Sequence, residues 1–172
     1  MSRLTQAISA CALALAPWAC ALAADTDLAP SELAPARIAP AQGHSASLLQ
    51  NGAGNAYAVE QSGRHNVMTG AQAGRANRGA VAQDGQHNRA WLEQQGAANS
   101  ISLLQGGVEN QAALQQTGQD NEASIVQDGI RNRAELDQRG SLNAARIEQY
   151  GRQGMARITQ YGNGKTATII QY

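Results

Sequence analysis

The stretch Gln83-Asp84-Gly85-Gln86-His87-Asn88-Arg89-Ala90-Trp91-Leu92-Glu93-Gln94 decides the fold, because its pattern returns every eleven residues. Glutamine stands at Gln50, Gln61, Gln72, Gln83, Gln94, Gln105, Gln116, Gln127, Gln138, Gln149, Gln160 and Gln171. Two places after the first eleven of these comes glycine: Gly52, Gly63, Gly74, Gly85, Gly96, Gly107, Gly118, Gly129, Gly140, Gly151 and Gly162. Five places after comes asparagine in nine units, at Asn55, Asn66, Asn77, Asn88, Asn99, Asn110, Asn121, Asn132 and Asn143. Gly154 and Lys165 take that place in the last two. A register this long without an insertion means that each unit stacks on its neighbours.

An eleven-residue period has two physical readings, a right-handed helical coil or a strand and a turn. Counting each unit from its Gln as position 0, the apolar positions are +7, mostly Ala, and +9, as in Val81, Leu92, Leu103, Ile125 and Ile147. On a helix these positions lie about 200° apart and form no common stripe. Each glycine would also cost a helix about 1 kcal/mol relative to alanine. On a strand, +5, +7, +9 and the next Gln alternate onto one face. The pattern therefore predicts an all-β fold, with a strand of about five residues such as 90–94 followed by a tight turn such as 95–99.

Two units make a strand-turn-strand arch, and stacked arches make a β-solenoid with two facing parallel sheets. Its six rungs of 22 residues would stand roughly 25–30 Å tall, an amyloid-like architecture. Across a core starved of large side chains, stacked Gln and Asn carboxamides would bond along the column. No amide is then left alone except at the two ends. The last strand, 167–171, keeps the core pattern, so no capping unit is expected there. Uncapped strand edges invite further copies end to end.

The surrounding composition narrows the function. The chain has 172 residues, formal net charge zero, no Phe and two Trp. It lacks the basic face of a nucleic-acid binder, so nucleic acid is not an expected partner. Residues 1–23 read as a signal peptide, with Arg3, an apolar run over 7–22, and cleavage before Ala24 or Asp25. Both cysteines, Cys11 and Cys20, lie inside it. Residues 24–44 read as a flexible Ala/Pro-rich leader, since Pro30, Pro35 and Pro40 deny it regular ladder pairing. Residues 45–172 form the repeat domain, eleven units after a partial first strand.

Outward positions show interspersed charge, with Gln111 between Arg89 and Arg133, and Glu135 directly below Arg157. Such placement tolerates stacking and discourages sideways pairing. His65, His87 and Glu109 share one edge, where loop histidines usually face solvent. No catalytic constellation, metal site or cofactor is expected.

These residues carry a resemblance. The unit Gln-x-Gly-x-x-Asn-x-Ala-x-x-x-Gln is similar to the curlin repeat over residues 46–172. Curlins are the subunits of curli, the extracellular functional amyloid fibres of Gram-negative bacteria. The resemblance implies secretion through a dedicated outer-membrane pore with accessory factors, assembly on the outer cell surface with a partner curlin subunit, and roles in adhesion and the biofilm matrix. The chain most resembles the minor, nucleating subunit, because Asn fills +5 in both halves of the arch. The stretch 158–171 is also similar to that subunit's tail. Arg146, Arg152, Arg157 and Lys165 are its candidate anchoring or nucleating charges. The ending Gln171-Tyr172 is more like a major subunit, and a major fibre-forming subunit stays open as an alternative. A soluble binding solenoid, such as an ice-binding protein, would need a flat Thr or Ser array, which only Thr166 and Thr168 supply.

Overall fold

The computed structural model describes residues 43–172. The segment read as a signal peptide and nearly all of the leader lie outside the described residues. Twelve strands follow one another: β1 (Ser45–Ala53), β2 (Ala56–Arg64), β3 (Val67–Arg75), β4 (Arg78–Gln86), β5 (Arg89–Ala97), β6 (Ser100–Val108), β7 (Gln111–Gln119), β8 (Glu122–Ile130), β9 (Arg133–Ser141), β10 (Ala144–Arg152), β11 (Met155–Asn163) and β12 (Thr166–Gln171). Odd strands form one six-stranded sheet and even strands the other. Every pairing is parallel and in register at 22 residues, so Gln94 lies over Gln116 and Gly96 over Gly118. This is the expected parallel β-solenoid.

Strand length departs from the expectation of about five residues. Eleven strands run nine residues. The chain kinks at the +2 glycine without leaving the ladder. At Gly118 φ is 126°, and a Cβ there would overlap the carbonyl oxygen of Gly140 one rung on. The +2 glycines from Gly52 to Gly140 all make that close approach.

Only two residues separate successive strands, and they too bond to adjacent rungs. Ala98 N–H donates to Arg75 O at 3.0 Å, and Arg78 N–H donates to Asn99 O at 2.8 Å. The left-handed residue of each corner is the one before the +5 position. His65, Ala76, His87, Ala98, Glu109, Asp120, Arg131, Leu142 and Gln153 have φ between 53° and 59°.

Alternation along each strand sends +7, +9 and the next Gln inward. Leu92, Leu114, Ile125 and Ile147 are fully buried between the sheets, spaced by Ala90, Ala112, Ala123 and Ala145. One local exchange of volume breaks the pattern. Gly70 stands where an aliphatic residue is usual, and Gly79 where alanine is usual. The Tyr57 ring and Met68 fill the space, so that a Cβ on either glycine would run into the Tyr57 ring. The fit leaves the Tyr57 hydroxyl as the buried side-chain polar atom without a partner among the described residues. Burial pushes its pKa well above the ordinary phenol value, so it stays neutral.

Candidate functional site

The carboxamides between the sheets form four columns, two of Gln and two of Asn. Most of their members are fully buried. A buried amide without partners would cost about 1–3 kcal/mol, and the strand register removes that cost by placing each amide 22 residues from its like.

In the Gln columns every Nε2 but those of the last members, Gln160 and Gln171, donates to the Oε1 one rung on. The odd-sheet column runs Gln50 to Gln72 at 2.8 Å, Gln72 to Gln94 at 2.6 Å, Gln94 to Gln116 at 3.0 Å, and on through Gln138 to Gln160 at 2.8 Å each. The even-sheet column runs from Gln61 through Gln83, Gln105, Gln127 and Gln149 to Gln171, at 2.7–2.9 Å. The second amide hydrogen crosses to the facing strand. Gln94 Nε2 donates to Arg78 O at 3.0 Å, and Gln105 Nε2 donates to Arg89 O at 3.1 Å. From Gln61 onward each glutamine therefore ties rung to rung and sheet to sheet.

The Asn columns work differently from the simple amide ladder expected. Their Oδ1 accepts the backbone N–H of the residue one rung on, as Asn66 does from Asn88 and Asn88 from Asn110, both at 3.0 Å. Their Nδ2 closes the corner by donating to the glycine carbonyl of the next rung and, in all but Asn121 and Asn143, to the carbonyl four residues back. For Asn110 these are Gly106 O at 2.6 Å and Gly129 O at 3.1 Å. Side-chain to side-chain bonds join only the column of Asn55, Asn77, Asn99, Asn121 and Asn143, at 3.0–3.2 Å.

Because the accepted proton is a backbone one, the last member need not be Asn. Gly154 N–H donates to Asn132 Oδ1 at 2.9 Å, and Lys165 N–H to Asn143 Oδ1 at 3.1 Å. At the other end an acceptor is required, and His44 supplies it, its Nδ1 receiving Asn66 N–H at 3.3 Å. Reading 24–44 as leader passed over this residue. The one signal for it was its place, 22 residues before Asn66.

Among the described residues the columns end asymmetrically. Gln50 and Gln61 Oε1 receive no hydrogen bond from another glutamine. Gln160 and Gln171 donate one hydrogen each, to Ala144 O at 3.2 Å and Met155 O at 3.1 Å. Their second hydrogens find no column acceptor. The outer edges of β1 and β2 at one end, and of β11 and β12 at the other, likewise pair with no strand among the described residues.

Three of the four candidate charges lie outside the columns. Arg146 pairs with Glu148 along β10, and Arg157 pairs with Glu135 one rung below at 3.4 Å. Lys165 holds the last place of an Asn column, and Arg152 sits exposed at the end of β10. On the corner edge His65 and His87 stack with ring centroids 5.0 Å apart. Glu109 turns instead to Arg131 at 2.7 Å, whose guanidinium holds its carboxyl below the usual carboxylate range.

Residues 96–129 and 131–162 match the family model of the curlin associated repeat. No curated protein and no solved structure matches the chain. The matched stretches begin at Gly96 and end at Gly162, and each spans about one and a half rungs. An unbroken solenoid of such rungs favours a structural part over a catalytic one. Together with the two matches, the repeat geometry supports the curlin family for this chain.

Proposed function

We propose that the chain is a structural subunit of extracellular curli-type amyloid fibres and, more narrowly, the minor subunit that nucleates them at the outer surface of a Gram-negative cell. The curlin repeats indicate the curli subunit. The observation that carries the assembly reading is the complementarity of the two ends. The amide hydrogens of Gln160 and Gln171 and the oxygens of Gln50 and Gln61, without column partners among the described residues, match one another between two copies or with a partner curlin. Stacking head to tail would also pair β11 with β1 and β12 with β2, an open heterologous contact that extends without closing.

Support for the nucleating role comes from the last two units, which lose the corner Asn and carry Arg152, Arg157 and Lys165, with Arg146 just before them. Export through the curli secretion pore and its accessory factors, with a role in adhesion and the biofilm matrix, belongs to the same reading.

Two measurements test it. The full chain should turn thioflavin-positive and diffract with an inter-strand reflection near 4.8 Å, and its fibres should shorten the lag of a partner curlin. A chain that stays monomeric at high concentration for days would overturn the fibre role. Removal of residues 150–172 should release soluble partner protein in cells. If fibres form equally well without those residues, or without any partner curlin, the chain is a major subunit.

A further inference from the structure

The outer face of the odd sheet carries a groove of about 310 Å³ with no part in the columns or the strand edges. Trp91 forms one wall and is 44% exposed in a chain with 3% aromatic residues and no Phe. Its vertical neighbours, Thr69 and Ala113, are too small to cover the indole. Alongside run Arg89, Gln111 and Arg133 on successive rungs, which sets the two arginines about 9.5 Å apart. The four ion pairs among the described residues use Arg131, Arg139, Arg146 and Arg157, leaving Arg89 and Arg133 without a carboxylate. Glu109, at the corner beside Gln111, is held by Arg131 at 2.7 Å and lies also within the field of Arg89, without an ion pair to it.

We propose that this groove binds an acidic oligosaccharide lying along the solenoid axis. An exposed indole offers an apolar platform to the C–H face of a sugar ring. The Gln111 carboxamide gives a donor and an acceptor to hydroxyl groups. Arg89 and Arg133 present planar forks to carboxylates two rungs apart. Charge agrees: the two columns that line the groove hold Arg89, Arg133 and Arg157 against Glu135, while the chain as a whole is neutral. A nucleic acid fits less well, since the arginine column passes to Val67 and Met155 at its flanks and offers no continuous basic track. The groove is complete within one copy, so the proposal does not depend on the fibre role.

Trp91 reports on its own site. In a full chain bearing Trp18→Phe it is the sole indole, and a polyuronate oligosaccharide should shift its fluorescence saturably. Arg89→Gln with Arg133→Gln should weaken that binding about tenfold or more, and Arg89→Lys with Arg133→Lys by an intermediate factor. Trp91→Ala should weaken it similarly by calorimetry, while circular dichroism stays that of a sheet in every variant. A neutral glucan of equal length should bind at least about tenfold more weakly than the polyuronate. The proposal is overturned by an absent or non-saturable shift, by equal binding in the Gln or Ala variants, or by equal affinity for the neutral glucan. Single-stranded DNA binding as tightly as the polyuronate would also overturn it, by exposing a general polyanion surface.

Discussion

In the Gln columns each carboxamide gives a hydrogen to the carboxamide of the next rung, whereas in the Asn columns the oxygen takes a hydrogen from the next rung's backbone. The difference explains which positions vary. A side chain whose rung-to-rung bonds run only to its own kind needs that kind above and below, and Gln fills all twelve places. A side chain that bonds to a backbone N–H asks nothing of the next residue's identity, so an Asn column can end on Gly154 or Lys165. It still needs an acceptor at its start, which His44 provides.

The comparison breaks first in the middle of a Gln column. Gln105→Leu would strand the Nε2 of Gln83 and leave Gln127 Oε1 without its donor. A loss of about 2–5 kcal/mol in denaturant unfolding of the full chain is expected. If it costs no more than a surface change, the columns contribute little. Asn110→Ala should cost less, about 1–3 kcal/mol, because one stranded N–H of Asn132 is the main loss. Hydrogen exchange should quicken at that amide.

Tyr57→Phe supplies a reference for a stranded polar group in the same core. Removing its unpartnered hydroxyl should stabilise the chain by about 1 kcal/mol. Smallest of all, Lys165→Ala keeps the backbone N–H that Asn143 uses and should change stability by less than about 0.5 kcal/mol. A large loss there would mean that the lysine side chain, rather than its backbone, matters to the last rung.

The solenoid itself was readable from the period, because +7, +9 and the Gln fall on one strand face and on opposite helix faces. Other features were not, for physical reasons. Strands run nine residues rather than five because the glycine kinks the chain while its neighbours keep their rung-to-rung bonds, and spacing records a kink and a turn alike. The left-handed backbone at the residue before the +5 position carries no residue-type signal, since His65, Ala98, Glu109 and Leu142 all adopt it. The gaps at Gly70 and Gly79 are visible in the sequence. Their filler, Tyr57, sits in a different unit and reaches both across the core and up its own column, which a one-dimensional pattern does not reveal. Stacked charges such as Glu135 and Arg157 followed directly from the 22-residue register.

The nine corner residues at φ 53° to 59° carry ordinary side chains, and such backbone costs about 1 kcal/mol at each. Only the neighbouring rung offsets this, through bonds such as Ala98 N–H to Arg75 O. An isolated arch meets the cost with no companion to share it, so a fragment of one or two rungs gains little by ordering. Order should set in abruptly once enough arches lie together, which gives the chain a built-in threshold against folding in pieces.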